Sequence, residues 1–593
     1  MQRSANPNPA LTPNSAILYD AQHHRWLAFQ HPIQVLTAHQ IADVMPLLQT
    51  VQQQVEQGFY AAGFVGYEAA PAFDPSFQVN PHGNFPLAWF GLYEPPEQVE
   101  LPECSSPFPD LGWTPSISRQ QYRDAIHRIK ECIAQGVTYQ VNFSFRLNAP
   151  FPHDSWDYFV HLMHAQAGLY GAFINLDDWT ICCASPELFF QQNGKTLISR
   201  PMKGTAPRGL TYRGDRHLAT DLYHSSKNQA ENLMIVDMIR NDMGRIAEIG
   251  SVQVPRLFDV EQYPTVWQMT SPVTCTTSAK LAELFQALFP CASITGAPKS
   301  STMQIIATLE DTPRRIYTGA IGFITPEHTA QFNVAIRTVL IDKTNQMAEY
   351  GVGGGIVWDS VEHDEYDECC TKAKILTQTR PSFELLESLL WTPEQHYFLL
   401  DLHLQRLQES ANYFAFSVDL ADVQKQLEAI AQTLPPNPHK VRLCVSKRGE
   451  IRVESHPLIQ RDSTQPLRVA IAKHPVDSSD VFLYHKTTHR VIYEKAKQTH
   501  PDVDDVLLWN ERGELTESCI ANLVVEWNGQ WYTPPVECGL LAGTLRNWLL
   551  QQGKLQERVL HLDDLQNCTR FFLINSVRQI QNAIMVHHST DRV

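Results

Sequence analysis

The chain lacks the features of several classes of protein. It contains no apolar run of the roughly 18 residues that a membrane-spanning helix needs. Its 47 Lys and Arg residues are outnumbered by 63 Asp and Glu residues, and they form no basic cluster of the kind that binds phosphate backbones. The sequence therefore predicts neither a membrane protein nor a nucleic-acid-binding protein.

Paired cysteine motifs and a targeting segment are also missing. The 12 cysteines include the adjacent pairs Cys182-Cys183 and Cys369-Cys370 but no C-x-x-C, so neither a zinc site nor a disulfide framework is indicated. Residues 1–20 are rich in Pro, Asn and Ser and have no apolar signal core. We expect a reduced protein of the cytoplasm.

Length and composition indicate several globular domains. A chain of 593 residues is too long for one hydrophobic core, and 43% hydrophobic with 19% charged residues is typical of a folded protein. Pro381 stops a helical pattern, so residues 377–381 are the predicted linker. We predict an N-terminal part over residues 1–112, a catalytic domain over 113–378 and a second catalytic domain over 379–593.

Lys203 lies in a loop between Pro201 and Gly204. A lysine acts as a nucleophile only when it is partly dehydrated or placed beside other cations. Taken alone, a lysine in such a loop is more often a solvated turn residue. Its role therefore depends on the motifs that accompany it.

One predicted helix, over residues 364–376, carries a group of charges. Glu365, Glu368 and Lys372 are spaced three and four apart, which places them on one helix face. Alone, this pattern is typical of a solvated acidic first turn that suits the helix dipole.

A second predicted helix, over residues 227–245, carries Glu231 and places Asp237 on its buried stripe, where Arg240 or backbone donors are the expected partners. Glutamates from two helices are hard oxygen ligands of the kind that Mg²⁺ prefers.

Two glycine-bearing segments do not fit nucleotide-binding patterns. Residues 351–356 lack the third glycine of G-x-G-x-x-G, and residues 296–300 lack the Walker A spacing. We interpret both as places where the backbone comes close to a substrate.

Seven motifs occur in order within residues 60–378. They lie at residues 185–187, 201–205, 230–237, 240–242, 294–299, 336–338 and 353–357. With these motifs the chain resembles the chorismate-utilising enzymes, which implies an α/β sandwich of antiparallel sheets with outer helices. Lys203 stands where the anthranilate synthases of that family have alanine. Lysine is typical of the branch called aminodeoxychorismate synthase component I, which aminates chorismate at C4 with ammonia.

The resemblance implies a role for each matching residue. Lys203 would attack C2 of chorismate as the 4-hydroxyl leaves, Glu187 would protonate that hydroxyl, and ammonia would enter at C4 and expel the lysine. Mg²⁺ would be held by Glu231, Glu365 and Glu368. The residues implied in binding the substrate are Thr205, Thr295, Gly296, Tyr317, Arg337, Gly353 and Lys372.

The sequence departs from the family in one respect and lacks one unit. Gln268 stands where many relatives carry histidine, and an amide cannot shuttle a proton, so no acid/base role is supported there. No cysteine with a suitable distant His and Glu indicates a glutaminase. We expect a separate glutamine amidotransferase subunit to supply the ammonia.

A second series of motifs follows the linker. His403, Arg406, Lys486, Glu517 and Asn522, followed by residues 543–546, resemble the fold-type IV pyridoxal-phosphate enzymes over residues 382–590. Residues 383–388 and 516–522 are most similar to the aminodeoxychorismate lyase branch. The resemblance implies a fold with two subdomains, bound pyridoxal 5′-phosphate and a homodimer formed through this domain.

The resemblance also implies the roles of residues in this second series. Lys486 would bind the cofactor covalently and then act as the proton-transfer base. Glu517 would pair with the pyridine nitrogen and preserve the electron sink, and Asn522 would also contact the cofactor. Its phosphate would be held by Arg406, Thr544 and Ser576, and the substrate side would be lined by Arg490 and Tyr493.

Together the two series predict a bifunctional enzyme that converts chorismate and ammonia to 4-aminobenzoate and pyruvate. Two alternatives stay open at this point. The chain could combine an anthranilate synthase with an aminotransferase of the second fold, or its C-terminal domain could be a non-catalytic module.

Overall fold

The structure is a computed structural model that describes residues 12–102, 108–166, 168–377, 381–459 and 465–586. The chain forms two units: residues 1–207 with 219–380, and residues 208–218 with 381–593. Part of the predicted linker at 377–381 lies outside the described residues. The boundary predicted after residue 112 stays a prediction.

The helices before residue 380 belong to the first unit, except that helix Tyr212–His224 begins within residues 208–218 of the second unit. Helix α2 begins at a capping box, in which the Ser118 hydroxyl accepts from the Gln121 backbone N–H and the Gln121 side chain accepts from the Ser118 N–H. Short 3₁₀ turns lie at Tyr67–Ala72, Ala292–Ile294 and Lys374–Leu376. The α-helices are α1 Ile41–Glu56, α2 Arg119–Ala134, α3 Ser155–Gln166, α4 Tyr212–His224, α5 Ser226–Gly244, α6 Leu281–Leu288, α7 Lys299–Leu309 and α8 Glu362–Ala373.

The strands of the first unit are mostly short. They are β1 Ser15–Asp20, β2 Arg25–Phe29, β3 Gln34–Ala38, β4 Tyr60–Val65, β5 Ala88–Tyr93, β6 Glu97–Val99, β7 Thr114–Pro115, β8 Gln140–Pro150, β9 Tyr170–Asn175, β10 Trp179–Ser185, β11 Leu188–Asn193, β12 Thr196–Arg200, β13 Met202–Pro207, β14 Asp259–Gln262, β15 Val266–Thr270, β16 Val273–Thr276, β17 Gly296–Ala297, β18 Ala320–Thr325, β19 Thr329–Val334, β20 Thr338–Asp342 and β21 Met347–Ile356.

Two large antiparallel sheets form the sandwich of the first unit. One runs β17-β8-β21-β20-β10-β9-β1-β2-β6 with β7 beside β8, and the other runs β16-β12-β11-β19-β18-β4-β5-β3. Side chains of both sheets, among them Phe29, Phe64, Trp89 and Ile181, share one core. Helices α1, α5 and α6 share a core with the second sheet, and α2, α3 and α8 with the first. This arrangement confirms the predicted sandwich with outer helices.

A buried ion network lies inside the first unit. Glu310 Oε1 accepts from Arg314 Nη2 at 2.6 Å, and Glu310 Oε2 accepts from Arg146 Nη2 at 3.4 Å. Buried charges need such partners, because an unpaired one is costly to desolvate. Arg314 Nη1 also donates to Ile294 O at 3.0 Å, and the Arg146 guanidinium lies 5.0 Å from the Tyr317 ring centre. The network thereby holds two residues of the site described below.

The predicted stripe of helix α5 is wrong in one respect. The buried positions of α5 are Asn232, Ile235, Val236, Ile239 and Met243, whereas the Asp237 side chain is 59% exposed. Asp237 does accept from Arg240 Nη1, at 2.8 Å, but at the surface. The polar Asn232 takes a buried position because its amide has partners inside the unit, which an apolar pattern cannot reveal.

The second unit contains two subdomains, as predicted. Its α-helices are α9 Leu400–Phe414, α10 Leu420–Ala431, α11 Val491–Gln498, α12 Thr544–Gln551 and α13 Leu562–Asn567, with 3₁₀ turns at Val481–Leu483 and Val536–Cys538. Its strands are β22 Leu385–Thr392, β23 His396–Tyr397, β24 His439–Val445, β25 Ile451–Pro457, β26 Leu467–Ile471, β27 Asp505–Trp509, β28 Leu515–Ser518, β29 Asn522–Trp527, β30 Gln530–Thr533, β31 Gln556–Glu557, β32 Arg570–Asn575 and β33 Gln579–Met585.

Each subdomain of the second unit is built on one sheet. The antiparallel sheet β23-β22-β24-β25 packs against α9 and α10. The sheet β28-β27-β26-β33-β32-β29-β30-β31 is mixed, with β26 parallel to both β27 and β33. None of the helices in the described parts of the chain is long and apolar enough to span a membrane.

Candidate active sites

A cavity of about 410 Å³ in the first unit brings together most of the residues predicted for it. Strands β13 and β21 and helices α5 and α8 form much of its wall. The predicted residues that line it are Glu187, Lys203, Thr205, Glu231, Tyr317, Arg337, Gly353, Glu365, Glu368 and Lys372.

Lys203 reaches this cavity from strand β13. Its side chain is 17% exposed, and its Nζ lies 3.5 Å from Glu231 Oε2. The Asn232 side chain donates to the Lys203 carbonyl at 3.0 Å, which ties β13 to helix α5. Lys203 is therefore largely dehydrated, as a nucleophilic lysine must be, but its nearest charged partner is a carboxylate and not another cation.

Glycines of β21 make room for the charged side chains of the cavity. A Cβ at Gly355 would lie 2.6 Å from Lys203 Nζ, and a Cβ at Gly351 would lie 2.2 Å from the Tyr317 ring. Contacts that short are excluded, so a larger residue would displace these groups. The glycines of β21 thus leave space in the site for the side chains of Lys203 and Tyr317, besides bringing their own backbone close to it.

Glu187 is a buried acid at the wall of the same cavity, with 3% of its surface exposed. Burial raises the pKa of its carboxyl to about 7, against an opposing hydrogen bond from Ser293 and the charge of Lys203. Ser293 Oγ donates to Glu187 Oε1 at 2.6 Å. A carboxyl with this pKa is suited to donate a proton near neutral pH.

The three carboxylates predicted to hold a metal are separately partnered. Glu368 Oε1 lies 2.8 Å from Lys372 Nζ, and Glu365 Oε1 accepts from Ser360 Oγ at 2.6 Å. Among the described residues, no group of three or more His, Cys, Asp or Glu side chains is arranged to hold a metal ion. Burial raises the pKa of Glu365, so a bound cation would relieve the cost of its charge. The chemistry of these oxygen donors fits Mg²⁺.

Arg337 supplies a free hydrogen-bond donor. Its Nη1 is buried and has no partner, and burial lowers the pKa of its guanidinium. A buried polar atom of this kind normally has a hydrogen-bond acceptor. Arg337 also has a positive φ of 51°, a backbone strain that often accompanies functional sites. A carboxylate in the cavity would satisfy the guanidinium.

Thr295 and Gly296 are not among the residues that line this cavity. The Thr295 hydroxyl donates to Cys291 O at 3.0 Å, and Gly296 pairs with Val141 in β8. A Cβ at Gly296 would lie 2.0 Å from Gln140 O, so glycine permits this strand pairing. A direct role of Thr295 and Gly296 in binding substrate stays a prediction.

Gln268 has a positioning role that its sequence position did not reveal. Its Nε2 donates to Gly204 O at 2.8 Å, and its Oε1 accepts from the Thr205 hydroxyl at 3.0 Å. Both partners follow Lys203 directly. The amide thus holds the part of strand β13 that carries the lysine.

A second cavity, of about 320 Å³, lies in the second unit. It is lined by all the residues predicted to bind the cofactor, namely Arg406, Lys486, Glu517, Asn522, Thr544 and Ser576. Arg490 and Tyr493, predicted for the substrate side, also line it.

The backbone of Lys486 is hydrogen-bonded to strand β22. Its carbonyl accepts from the Leu386 N–H at 3.0 Å. Burial lowers the pKa of the ammonium to about 7, and Arg406 adds repulsion. An amine with this pKa is substantially unprotonated near neutral pH, as covalent bonding to an aldehyde requires.

Glu517 is held by three donors in the same cavity. The Tyr493 hydroxyl donates to its Oε1 at 2.9 Å, Asn522 Nδ2 to its Oε2 at 3.2 Å, and the Leu541 N–H to its Oε1 at 3.2 Å. Burial nevertheless raises the pKa of Glu517 to about 7. A cationic ring nitrogen beside it would favour the ionised carboxylate.

Sequence reasoning gave no role to Glu387, which organises one wall. Glu387 accepts from Arg406 Nη2 at 2.6 Å and pairs with His403 Nδ1 at 2.7 Å. Burial alone would raise the pKa of Glu387, but Arg406 and His403 lower it to about 2. A single glutamate within the apolar strand β22 was the signal, because a buried carboxylate needs partners.

These residues fit pyridoxal phosphate. Thr544 is the first residue of α12, where free backbone N–H groups favour an anion, and Arg406 also lines this cavity. The cavity therefore combines an amine for the aldehyde, a carboxylate for the ring nitrogen and donors for the phosphate.

Comparison with known proteins agrees with this division. Residues 13–378 match the family model described as "chorismate binding enzyme", and residues 384–583 match the one described as "Amino-transferase class IV".

Two of the similar curated proteins are named aminodeoxychorismate synthase component 1. The one from Escherichia coli (strain K12) is 39% identical over 269 residues, which cover 45% of this chain and 59% of that protein. The one from Bacillus subtilis (strain 168) is 39% identical over 254 residues, which cover 42% of this chain and 54% of that protein. The chain thus spans somewhat more than half the length of these relatives.

A solved structure supports the fold of the first unit. Anthranilate synthase component I from Streptococcus pneumoniae TIGR4 superposes with a TM-score of 0.53 at 24% identity, covering 64% of this chain and 94% of that one. At this identity the likeness concerns the fold alone.

Proposed function

The chain belongs to the chorismate binding enzyme family, and from this premise we propose that it makes 4-aminobenzoate in two steps. The first unit would aminate chorismate at C4 with ammonia, giving 4-amino-4-deoxychorismate and water. The second would split this product into 4-aminobenzoate and pyruvate. The observation that carries the proposal is the meeting of Lys203 with Glu187, an acid of pKa about 7, in one cavity.

In the first step, Lys203 Nζ would form a bond to C2 of chorismate while both ring double bonds shift by one position and the C4–O bond breaks. Glu187 would give its proton to the departing hydroxyl, which leaves as water. Ammonia would then bond to C4 and return a proton to Glu187, both double bonds would shift back, and the lysine would leave. Because Glu187 is buried and its pKa is about 7, it carries a proton at the start of this sequence.

Other residues of this cavity would hold the substrate. Arg337 has an unpartnered donor for a carboxylate, and its planar fork suits that group. Glu231, Glu365 and Glu368 would hold Mg²⁺, which neutralises a substrate carboxylate when bound. Lys203 and Lys372 now pair with two of these glutamates, so metal binding would release both amines.

In the second step, the bond between the ring and the enolpyruvyl oxygen breaks. The hydrogen at C4 leaves as a proton, the ring becomes aromatic, and the enolpyruvate takes up a proton to give pyruvate. Pyridoxal phosphate, when bound, supplies the electron sink for this elimination. Lys486 would move the proton, and Glu517 would hold the ring nitrogen of the bound cofactor protonated.

Two alternatives are less well supported. An anthranilate synthase would not require lysine at position 203. A non-catalytic second unit would not require an amine with a pKa of about 7 beside a buried carboxyl held by three donors.

We further propose that a separate glutamine amidotransferase delivers the ammonia and that the chain forms a homodimer through its second unit. Buried free thiols, such as Cys182, Cys183 and Cys291, favour the reducing cytoplasm as its location.

Substitution of the two lysines tests the proposal one unit at a time. Lys203→Ala should abolish formation of 4-amino-4-deoxychorismate from chorismate and ammonium, whereas Lys195→Ala, at a site 70% exposed, should leave it unchanged. Lys486→Ala should remove the visible absorbance band of the bound cofactor. An active Lys203→Ala protein, or a wild-type protein that never acquires the band, would contradict the corresponding half.

A further inference from the structure

Most of the charged side chains that line the second cavity are basic, although the chain has a net charge of −16. Among the described residues that line it, Glu517 is the acidic one. Arg406 is paired with Glu387, and Lys486 has its own role. The other basic residues, called the cationic cluster below, are Lys440, Arg442, Arg490 and Arg578.

The cationic cluster is assembled from separate parts of the second unit. Lys440 and Arg442 are two residues apart in β24, so their side chains leave the same face of the sheet. Arg490 precedes α11 and donates to Cys519 O. Arg578 lies in the turn before β33 and donates through Nη1 to Ile459 O at 3.0 Å. The four basic residues thus come from different segments and meet in one cavity, whereas basic residues on a solvated surface are often consecutive in sequence.

Within the described parts of the chain, no carboxylate forms an ion pair with the cluster. Glu454 lies opposite Arg442 on β25 but pairs with Arg452 at 3.6 Å. Arg442 Nε is buried without a hydrogen-bond partner. Burial and repulsion from its three neighbours lower the pKa of Lys440. Like charges held together in this way are unfavourable until an anion binds between them.

We propose that the cationic cluster binds the two carboxylates of the substrate of the second unit. By doing so, the cluster selects an amine with two carboxylates over amines with one. This inference rests on the proposed function, in which 4-amino-4-deoxychorismate is such a dicarboxylate. Arg442 contributes a planar fork with a donor already buried, which suits a carboxylate. Lys440 and Arg578 are exposed whereas Arg442 is half-buried, so the two carboxylates would be met at different depths.

Calorimetric titration of the full-length protein loaded with pyridoxal phosphate tests this site. The probe is isophthalate, a dianion with two carboxylates on one ring, and benzoate is its monoanionic counterpart. Wild type should bind isophthalate about tenfold or more tightly than benzoate. Arg442→Met and Lys440→Met should each weaken isophthalate binding about tenfold, and Arg442→Lys should recover part of the loss. Any isophthalate that binds in the first unit contributes equally to the titrations of wild type and all variants.

Arg448→Met is the matched control, because Arg448 lies just beyond β24, is exposed and does not line the cavity. It should bind isophthalate as wild type does. Equal affinities in wild type, Arg442→Met and Lys440→Met would overturn the proposal, as would an equal loss in Arg448→Met.

Two further readouts separate the possible anions and the possible failures. If the cluster held the cofactor phosphate instead, Arg442→Met would weaken pyridoxal phosphate binding, which the proposal expects to be unchanged. If wild type releases pyruvate but the variants bind isophthalate normally, the cluster proposal fails and the proposed function stands. If the variants lose isophthalate but wild type releases no pyruvate, the carboxylate site stands and the proposed reaction fails.

Discussion

Ser293 Oγ donates a hydrogen bond of 2.6 Å to Glu187 Oε1, across 106 positions of sequence. Burial raises the pKa of Glu187, whereas the serine and the charge of Lys203 favour its ionised form. The Cys291 thiol lies 3.2 Å from Ser293 Oγ, and burial together with the nearby Glu187 raises the pKa of this thiol. The serine hydrogen bond thus lowers the pH at which Glu187 loses its proton.

Replacement of Ser293 should move the pH dependence of the first step. In Ser293→Ala the ionised carboxylate loses a hydrogen bond, so the pKa of Glu187 rises and the acid stays protonated to higher pH. The alkaline limb of kcat/KM should shift upward by about one pH unit, since a hydrogen bond to a charged group contributes about 1.5 kcal/mol or more. The profile is measured at a constant concentration of unprotonated ammonia.

Two further variants serve as controls for the pH shift in Ser293→Ala. Ser293→Thr keeps a hydroxyl and should restore the wild-type limb, and Ser301→Ala removes an exposed hydroxyl outside the cavity and should change nothing. An unshifted or acid-shifted limb in Ser293→Ala would show that Glu187 is not the acid.

Glu187 should also lower the stability of the first unit. Its pKa is raised from 4.5 to about 7, so the folded state binds a proton that the unfolded state lacks between these values. Stability from this group is present below pH 4.5 and is lost as pH rises through 7. Glu187→Gln should therefore be inactive but about 3 kcal/mol more stable than wild type above pH 7.

Hydrogen exchange in peptides of β11, which directly follows Glu187, reports this stability for the first unit alone. The gain should vanish near pH 4. A variant less stable than wild type at pH 8 would contradict the assignment of an uncompensated buried carboxyl.

Glu387 should affect the pH dependence of stability in the opposite direction to Glu187. Its pKa is lowered from 4.5 to about 2, so its contribution to stability is present above pH 4.5 and is lost as pH falls through 2. Glu387→Gln should cost about 3 kcal/mol at pH 7, because Arg406 and His403 lose a buried partner. The denaturant midpoint at which the cofactor absorbance disappears measures this loss.

Glu384→Gln, three residues earlier, is the comparison for Glu387→Gln. Glu384 pairs with Arg452, which is 57% exposed, and such surface pairs contribute about 0–1 kcal/mol. Equal midpoints for the two variants would mean that Glu387 does not organise the wall of the second cavity.

The resemblance carried by ordered motifs sufficed to predict the sandwich and the second fold. It also grouped residues that the structure brings together, since Lys203, Glu187 and Arg337 line one cavity and Lys486 and Glu517 line another. The fold and these groupings were therefore accessible from the motifs and the families that they resemble.

What the sequence did not reveal depends on contacts across long separations. Ser293 lies just before the motif at residues 294–299 and acquires its role only by its contact with Glu187. Asp237 was placed on the wrong face because Asn232, and not an apolar residue, occupies the buried stripe of α5. Arg442 is one charged residue of strand β24 in the sequence, and only the folded structure shows that it lines the second cavity.

The identity of the product tests the central claim most directly. Purified wild-type and Lys486→Ala proteins are incubated with chorismate, ammonium, Mg²⁺ and pyridoxal phosphate, and the products are identified by chromatography and mass spectrometry. Wild type should give 4-aminobenzoate with an equal amount of pyruvate, and Lys486→Ala should accumulate 4-amino-4-deoxychorismate. Formation of 2-aminobenzoate, with nitrogen at C2, would contradict the assignment of Lys203 and with it the proposed pathway.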